Sequence, residues 1–447
     1  MPLASLRFLL CGLPLFLIGY YCMPVKGKQI YLCISSFLLY SWGNWSDLFF
    51  VAGYLCYDYI AGILIQKYRL HKPVASGILI FSVLLQSLIL VQVRYCSPEA
   101  FPTGLAVRTL QGIGYLILIY RNRHPAEKNF FRLGGYLILF PVLVSYEIFA
   151  QQSENRRTDI ISLSDGLSIL IKGMAEKVVL ADTFGYIFRQ LRQISPQDMS
   201  MLTAWLMTVA FSMYLYFELL SYSEMARGLG TCVGYDLPKN FNHPFFTSSV
   251  TAFLQNWNMT LTSWFQGNFR NFLFADTNRK FFYYASFVLM GILIGAWYGT
   301  SVQFLIWGFL VGIFIVLDKL FLERFIRKHY AFGVIYTGIL LQFLWVLFFS
   351  DNLSETGLYW KAMLGFGNGL TDRNGLYFFV SYIGLLLIGF YIATDLFRNI
   401  EERFSTVEIG KRMAFLKPIF QGMLFIFCIA FLLYQKQGDN EILFLLI

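Results

Sequence analysis

Charged residues are scarce in this chain. Asp, Glu, Lys and Arg make up 14% of its 447 residues, against the roughly 25% of an ordinary soluble domain. Hydrophobic residues take their place and reach 57% of the sequence. This balance excludes an ordinary water-soluble fold and indicates a protein that lies in a lipid bilayer.

Cysteine and histidine are also few, with seven and four residues. The cysteines have no paired spacing, which argues against a disulfide framework or a zinc site. The sequence contains no glycine-rich phosphate loop, nucleophile elbow or metal-ligand cluster. The net charge of +9 does not require nucleic acid, because the basic residues lie in short loops beside apolar runs, as the positive-inside rule describes. The bilayer is therefore the expected partner, and no nucleic acid or bound cofactor is expected.

Apolar runs are abundant. About a dozen approach the ~20 residues that a helix needs to span a bilayer, which predicts an all-α polytopic membrane protein. The first run lacks a small-residue cleavage site, so we expect it to be retained as a span. The clearest runs are Ser5 to Tyr21, Val74 to Val93, Leu202 to Leu220, Phe282 to Trp297, Ala331 to Phe349, Leu376 to Ile392 and Ile419 to Tyr434.

Basic loops follow alternate spans, which predicts an N-terminus outside the cytoplasm in a multi-pass plasma-membrane protein. With no internal repeat and no long linker, residues 1–447 are expected to form one membrane domain, and residues 155–300 to hold its functional centre. Charges interleave with apolar residues from 155 to 200, which predicts amphipathic helices that lie at the membrane interface or pack into the helix bundle, rather than a clean span. Residues 221–280 show no clean span, and polar backbone at membrane depth has to line a cavity or be buried in protein. The basic residues of these loops are Lys26 and Lys28; Lys67, Arg69 and Lys72; and Arg121, Arg123, Lys128 and Arg132.

A polar stripe is predicted in the stretch "TAFLQNWNMTLTSWFQG". On a helix, the spacings of four, three and four residues place its polar members on one face. Such a stripe meets water, substrate or another polar helix, and simple helix-to-helix hydrogen bonding is an equally weighted alternative. The members are Thr251, Gln255, Asn258 and Thr262, and the nearby Trp257 and Trp264 share a different face.

Three further polar residues are candidates for chemistry. Glu218 and Glu224 lie at or near the end of the span Leu202 to Leu220, and carboxylates so close to a membrane tend to be functional or paired. Glu224 and Arg227, three residues apart, are able to pair on one helix face, and this structural alternative is slightly favoured. His243 precedes a proline and is expected in a turn, where a lone histidine is more often simply polar than catalytic.

The order of four motifs resembles the membrane-bound O-acyltransferase (MBOAT) family, in particular its bacterial branch that acylates alginate and teichoic acids. These motifs are "GLSILIKGMAEKVVLAD", "FELLSYSEMARGLG", "NFNHPFFTSSVTAFLQNWNMTLTSWFQ" and "GILIGAWYGTSVQFLIWG". The resemblance covers most of the chain and is weakest beyond about residue 350. It implies a ring of roughly 11–12 transmembrane helices, with re-entrant or interfacial helices, around a central funnel.

The resemblance also implies a reaction. An acetyl-type acyl group passes from a cytoplasmic thioester, either acyl-CoA or an acyl carrier protein, to a hydroxyl of an extracytoplasmic polymer. The donor is a co-substrate, and an acyl carrier protein or an extracytoplasmic acyltransferase is an implied partner. Such transfer needs a base for the hydroxyl proton and a polar pocket for the oxyanion. The residues assigned to substrate binding are Trp257, Thr262, Gln255, Trp297 and Glu218.

Both histidines that the family uses are replaced. The family's tryptophan-histidine pair corresponds here to Trp257 and Asn258, and its catalytic histidine, between tryptophan and glycine, corresponds to Tyr298. A tyrosine with a pKa near 10 is about 0.1% ionised at neutral pH, and losing a general base typically removes about 10²- to 10⁴-fold of rate. Asparagine is no base at all. A substitute base has to come from His243 or Glu224, or from an unusually acidic Tyr298.

Two hypotheses remain. The first is a divergent O-acyltransferase whose catalytic group comprises Tyr298, Asn258, His243 and Glu224. The second is an inactive homologue that binds an acyl carrier, a lipid or a partner as a scaffold subunit of an envelope-polymer modification or export complex. Loss of both histidines favours the second hypothesis, whereas the surviving motif order favours a retained ligand site. A transporter is disfavoured because no charge relay or inverted repeat is visible.

Overall fold

The structure is a computed structural model, and it describes residues 3–41, 45–96, 104–139, 159–270, 280–394 and 417–434. Within these ranges the regular secondary structure is helical, with no strand. The predicted all-α class is therefore confirmed.

The described residues form eighteen α-helices. Short π-helical segments precede or extend four of them, at Phe8–Gly12, Glu176–Ala181, Phe265–Arg270 and Asp318–Leu322. In chain order the helices are α1 (Leu13–Cys22), α2 (Val25–Ser41), α3 (Trp45–Lys67), α4 (Lys72–Cys96), α5 (Leu105–Tyr120), α6 (Phe130–Leu137), α7 (Ile160–Ala175), α8 (Asp182–Arg192), α9 (Met201–Cys232), α10 (Val250–Asn256), α11 (Met259–Trp264), α12 (Lys280–Tyr298), α13 (Val302–Leu317), α14 (Glu323–Lys328), α15 (Tyr330–Phe349), α16 (Leu353–Met363), α17 (Arg373–Ala393) and α18 (Lys417–Tyr434).

Seven segments in the described ranges are long and apolar enough to cross a membrane. They correspond to α3, α4, α9, α12, α13 with its π-helical extension, α15 and α17, and three shorter apolar segments at Phe8–Cys22, Leu105–Tyr120 and Pro418–Tyr434 accompany them. The multi-pass prediction is therefore confirmed, whereas the position of the N-terminus outside the cytoplasm stays a prediction.

Helix α9 is longer than its apolar run. The sequence predicts a span that ends at Leu220, but the helix continues to Cys232. Each carboxylate in or beside the extension has a basic partner, since Glu218 meets Lys177 and Glu224 meets Arg227. Paired charges cost far less to bury than single ones, so the helix continues beyond the point where hydropathy falls. The segment without a clean span therefore begins after Cys232 rather than at Ser221.

The chain divides into two compact units. The first comprises the described residues up to Leu170 together with Ser223–Pro238. In it, α3 packs against α4 and α5, and α2 against α6. The phenols of α1 reach the end of α9, where Tyr20 donates to the carbonyl of Val233 and Tyr21 to that of Cys232, each across 2.8 Å.

The second unit comprises Ile171–Tyr222 and the described residues from Lys239 onward. Its closest helix pair is α12 and α13. A Cβ atom placed on Gly295 would overlap the carbonyl oxygen of Phe304, so glycine lets the two backbones approach, as small residues do between membrane helices. This contact lies one turn from the end of α12, where Tyr298 is found.

Amphipathic helices were expected between residues 155 and 200, and the described part of that segment agrees. Helices α7 and α8 lie there, joined by the π-helical segment Glu176–Ala181. The buried face of α8 carries Phe184, Ile187, Phe188 and Leu191, and its last turn carries Arg189 and Arg192. Cations near a helix C-terminus complement the helix dipole.

Candidate active site

The expected polar helix is broken at its centre. Helix α10 ends at Asn256, Trp257 has extended backbone, and α11 begins only at Met259. Between them Asn258 has a φ of 44° in the left-handed region, which asparagine tolerates better than most residues. The prediction of one continuous polar stripe from Thr251 to Thr262 is therefore wrong.

The members of that stripe have different environments. Gln255 is exposed and Thr251 is half-buried, whereas Asn258 and Thr262 are buried. The hydroxyl of Thr262 donates to the carbonyl of Trp257 across 3.3 Å. Spacing could not reveal this break, because an unbroken helical periodicity assumes helical φ and ψ at every residue, and Asn258 departs from them.

The break brings two side chains to the hydroxyl of Tyr298. The indole N–H of Trp257 donates to the Tyr298 oxygen across 3.1 Å, and the amide of Asn258 donates across 3.5 Å. Tyr298 is 3% exposed and Trp257 is 2% exposed. Asn258 and Tyr298, the two positions that the resemblance assigns to the family's histidines, are therefore neighbours in space, although they lie 40 residues apart in the chain.

Aromatic rings enclose this polar contact. Tyr298 lies within 5.2 to 5.8 Å of the ring centroids of Trp297, Trp307 and Phe348. Five rings lie within 6.0 Å of Trp257, namely Tyr216, Phe241, Phe245, Phe253 and Trp345. Among the described residues, the buried indole nitrogens of Trp307 and Trp345 have no hydrogen-bond partner. Buried donors of this kind are costly unless a ligand or water accepts from them.

Two residues anchor the N-termini of the helices on either side of the break. The carbonyl of Asn240 accepts from the amide N–H of Met259 across 2.8 Å, and its side-chain oxygen accepts from the amide and hydroxyl of Thr260. At the other end, a carboxylate oxygen of Asp318 accepts from the first amides of α10, at 2.8 Å from Val250 and 3.4 Å from Thr251. Both contacts satisfy backbone groups that a broken helix leaves without intrahelical partners.

Glu218 is part of a buried ion-pair network. The ammonium of Lys177 lies 2.8 Å from Glu218 and 2.6 Å from Asp182. Burial lowers the pKa of Lys177, but the negative charges of Glu218 and Asp182 outweigh this effect and raise it above the ordinary value. Lys177 is therefore held in its charged form, and Glu218 is engaged with a cation.

The two candidates for a substitute base have different surroundings. The guanidinium of Arg227 lies 2.8 Å from the carboxylate of Glu224, so the predicted pair is present. His243 is half-buried and has a φ of 47° as it enters the short 3₁₀ turn Pro244–Phe246. A turn was expected, but not a left-handed histidine, because the residue before proline prefers extended backbone. The roles of Glu224 and His243 in proton transfer stay predictions.

Sequence reasoning missed several residues that build the site. Asn240 lay in a quoted motif, but only its three-dimensional contact with Thr260 reveals its role. Trp307 and Trp345 lie in strongly apolar spans, where nothing distinguishes a site tryptophan from a lipid-facing one. In the described residues no group of three or more His, Cys, Asp or Glu side chains is arranged to hold a metal ion.

The fold and this centre define a multi-pass helical membrane protein with a buried cluster of hydrogen-bond donors. The chain is 27% identical over 437 residues to the probable alginate O-acetylase AlgI of Pseudomonas syringae pv. tomato, with 90% of this chain and 84% of that protein covered. It is 22% identical over 421 residues to the peptidoglycan O-acetyltransferase of Helicobacter pylori, with 81% and 80% covered. A shorter match, 25% over 248 residues, covers 51% of this chain and 60% of the teichoic acid D-alanyltransferase of Bacillus subtilis.

No family model matches the chain. The three similarities nevertheless confirm the resemblance drawn from the motifs, because the chain is similar to bacterial proteins named as an alginate O-acetylase, a peptidoglycan O-acetyltransferase and a teichoic acid D-alanyltransferase.

Proposed function

We propose that the chain is a divergent membrane-bound O-acyltransferase that passes an acetyl-type group from a cytoplasmic thioester to a hydroxyl of an extracytoplasmic envelope polymer. The observation that carries the proposal is the convergence of Trp257 and Asn258 on the Tyr298 hydroxyl. Its relatives, whose names describe O-acetylation and D-alanylation of envelope polymers, supply the reaction class.

Tyr298 acts in this proposal as a hydrogen-bond donor rather than a base. Its oxygen accepts the N–H groups of Trp257 and Asn258, so its own O–H is directed away from these two donors. Two donors at a phenol oxygen make its O–H a stronger donor, because chains of hydrogen bonds polarise one another. The group that accepts this hydrogen bond is the carbonyl oxygen of the thioester, where negative charge develops during transfer, and Tyr298 keeps its proton.

The bonds that change are then simple. The acceptor oxygen attacks the carbonyl carbon, the new C–O bond forms, and the C–S bond breaks. The proton of the acceptor hydroxyl ends on the departing thiolate, so no net charge is left behind. The donor cluster, which comprises Trp257, Asn258 and Tyr298, carries no proton acceptor comparable with histidine. We therefore expect transfer to be slower than in a histidine-containing enzyme, by about 10²- to 10⁴-fold.

An inactive scaffold is the second candidate, and a specific observation favours it. Asn258 and Trp257 are donors that do not act as bases, and both Glu218 and Glu224 are engaged in ion pairs. On this hypothesis the donor cluster and the unpartnered indoles of Trp307 and Trp345 bind the oxygen atoms of an acyl group without transferring it. Both hypotheses retain an acyl-binding centre and differ in turnover.

The rate of ester formation on the envelope polymer separates the two. We would compare a deletion strain with the same strain carrying wild type, Tyr298→Phe or Tyr298→His, each at equal membrane abundance. Tyr59→Phe is the matched control, because it removes a phenol that donates to the carbonyl of Lys128 at an exposed site.

A transferase predicts that Tyr298→Phe lowers the rate by about 10²- to 10³-fold, the usual effect of losing one oxyanion donor. Tyr298→His restores a group with a pKa near ~6.5 and should match or exceed wild type. A scaffold predicts reduced esters in the deletion strain and at most an effect of about threefold to tenfold in Tyr298→Phe, the loss of one hydrogen bond to the bound acyl group. Unchanged ester content in the deletion strain would refute both.

A further inference from the structure

Two basic loops meet in the first unit. One joins α3 to α4 and the other joins α5 to α6. The α5–α6 loop contacts α3, the helix that leads into the first loop, because the amide of Ala126 donates to the side chain of Gln66 across 2.6 Å and Tyr59 donates to the carbonyl of Lys128 across 2.8 Å. The second loop therefore packs against the helix that leads into the first, and the sequence places both loops on the same side of the membrane.

A cavity of about 280 Å³ lies where these loops meet. Its lining comprises Arg69 of the first loop, Lys72 at the start of α4, Tyr120 at the end of α5 and Asn122 of the second loop, and Ile65 and Ala75 form its buried apolar part. Among the described residues, no carboxylate lies within ion-pair distance of Arg69 or Lys72. The cavity therefore carries two cations without an internal counter-charge.

We propose that this cavity binds the phosphate of an anionic membrane lipid. A guanidinium, an ammonium and an amide supply donors for phosphate oxygens. The same chemistry would suit a free phosphate, so the position of the cavity decides between the two sources. Arg69 and Lys72 stand at the ends of two membrane-spanning segments, Asp47–Lys67 and Lys72–Arg94, at the level where lipid headgroups lie.

The apolar surroundings support a lipid over a soluble ion. Leu70, between the two basic positions, is 91% exposed, and an exposed leucine at a membrane surface suits insertion among acyl chains. Ile65 and Ala75 give the cavity an apolar floor beneath its cations. A lipid supplies a phosphate for the cations and acyl chains for the apolar residues, whereas inorganic phosphate supplies only the first. This inference requires only that the chain spans the membrane and is independent of acyl transfer.

Native mass spectrometry of the full chain in detergent tests the proposal. Binding of phosphatidylglycerol and of phosphatidylcholine would be titrated for wild type and for Arg69→Gln/Lys72→Gln. The control is Lys26→Gln/Lys361→Gln, which removes the same charge at two exposed positions outside the cavity. Arg69→Lys keeps the charge, and thermal unfolding checks that each variant is folded.

We expect phosphatidylglycerol affinity to fall about tenfold to thirtyfold in Arg69→Gln/Lys72→Gln, since each interfacial cation contributes roughly 1 kcal/mol, or fivefold. The control should change by less than about threefold, Arg69→Lys should retain binding, and phosphatidylcholine should be insensitive. An equal loss in the control would overturn the proposal in favour of diffuse surface charge.

A second arm uses inorganic phosphate and coenzyme A in lipid-free detergent. Binding of either that depends on Arg69 and Lys72, together with phosphatidylglycerol binding that does not, would overturn the lipid assignment and make the cavity a soluble-phosphate site. Unchanged phosphatidylglycerol binding in a folded Arg69→Gln/Lys72→Gln protein would overturn it as well.

Discussion

The indole N–H of Trp257 donates to the phenol oxygen of Tyr298 across 3.1 Å. This contact joins the break between α10 and α11 to the last residue of α12. It fixes the direction of the Tyr298 hydroxyl, because an oxygen that accepts from Trp257 and Asn258 has to send its own proton elsewhere. The orientation of the site therefore depends on two residues that are not themselves acids or bases.

Replacing Trp257 with phenylalanine tests that contact. Trp257→Phe keeps an aromatic ring in the cluster and removes the N–H, so we expect ester formation to slow by about threefold to tenfold, the range of a typical hydrogen bond of 0.5–1.5 kcal/mol. Trp205→Phe is the control, since its indole donates to the carbonyl of Met363. Equal rates for the two variants would contradict a role of the Trp257 N–H.

The buried network around Lys177 predicts a large effect on stability. Lys177→Met leaves Glu218 and Asp182 facing each other without their cation, and breaking a buried pair in this way costs about 3–5 kcal/mol. Adding Glu218→Gln should recover part of that loss. Chemical unfolding in detergent measures both.

Lys172→Met is the comparison for the buried network. Lys172 is 67% exposed and lies 3.7 Å from Glu176, and exposed pairs contribute at most about 1 kcal/mol. A similar loss of stability for Lys172→Met and Lys177→Met would show that burial of the Lys177 network is not what matters.

The close approach of α12 and α13 predicts that a methyl group added at their contact lowers the activity of the site. Gly295→Ala would push against the carbonyl of Phe304, and such overpacking typically costs about 1–3 kcal/mol. Because Gly295 lies one turn before Tyr298, we expect ester formation to fall as well, at temperatures where the protein is still folded. Gly338→Ala, where an added Cβ meets nothing within 4 Å, should leave stability and rate unchanged, and a loss there would undo the argument.

Asp372 predicts an acid-dependent part of the stability. Its burial raises the pKa, but hydrogen bonds from Ser200, Thr203 and the amide of Gly375 outweigh this and lower the pKa below its usual value. A carboxylate with a lowered folded-state pKa stabilises the fold above its unfolded pKa near ~3.9. This contribution is lost as the pH falls through the folded-state pKa.

The test compares thermal unfolding of wild type and Asp372→Asn in detergent at pH 7 and at pH 3. Between pH 7 and pH 3, the unfolding temperature of wild type should fall further than that of Asp372→Asn. Identical pH dependence in the two proteins would exclude Asp372 as a source of acid sensitivity.

Much of the fold could be predicted from the sequence because membrane spans depend on a simple quantity, apolar length. The runs that begin near Leu202, Phe282, Ala331 and Leu376 all appear as helices. The end of α9 was missed because hydropathy scores charges one at a time, whereas Glu224 and Arg227 neutralise each other within the helix. Pairing between side chains is invisible to a hydropathy average.

The site could be predicted only in part. Motif order placed Trp257, Asn258 and Tyr298 at the centre, and the structure brings these three together. The helix break and the support from Asn240 and Asp318 could not be predicted, because they depend on contacts between residues that are distant in the chain. The roles of His243 and Glu224 remain predictions that ester measurements on their variants can test.

The left-handed backbone of Asn258 constrains which residues can occupy that position. Asparagine, aspartate and histidine are the residues most enriched at positive φ after glycine, whereas β-branched and bulky residues are strained there. The position therefore accepts either the present amide or a histidine on the same main-chain path. Exchange between a donor-only centre and a proton-accepting one requires a change of side chain without a change of fold, which makes the chain a suitable scaffold for installing general-base chemistry by substitution.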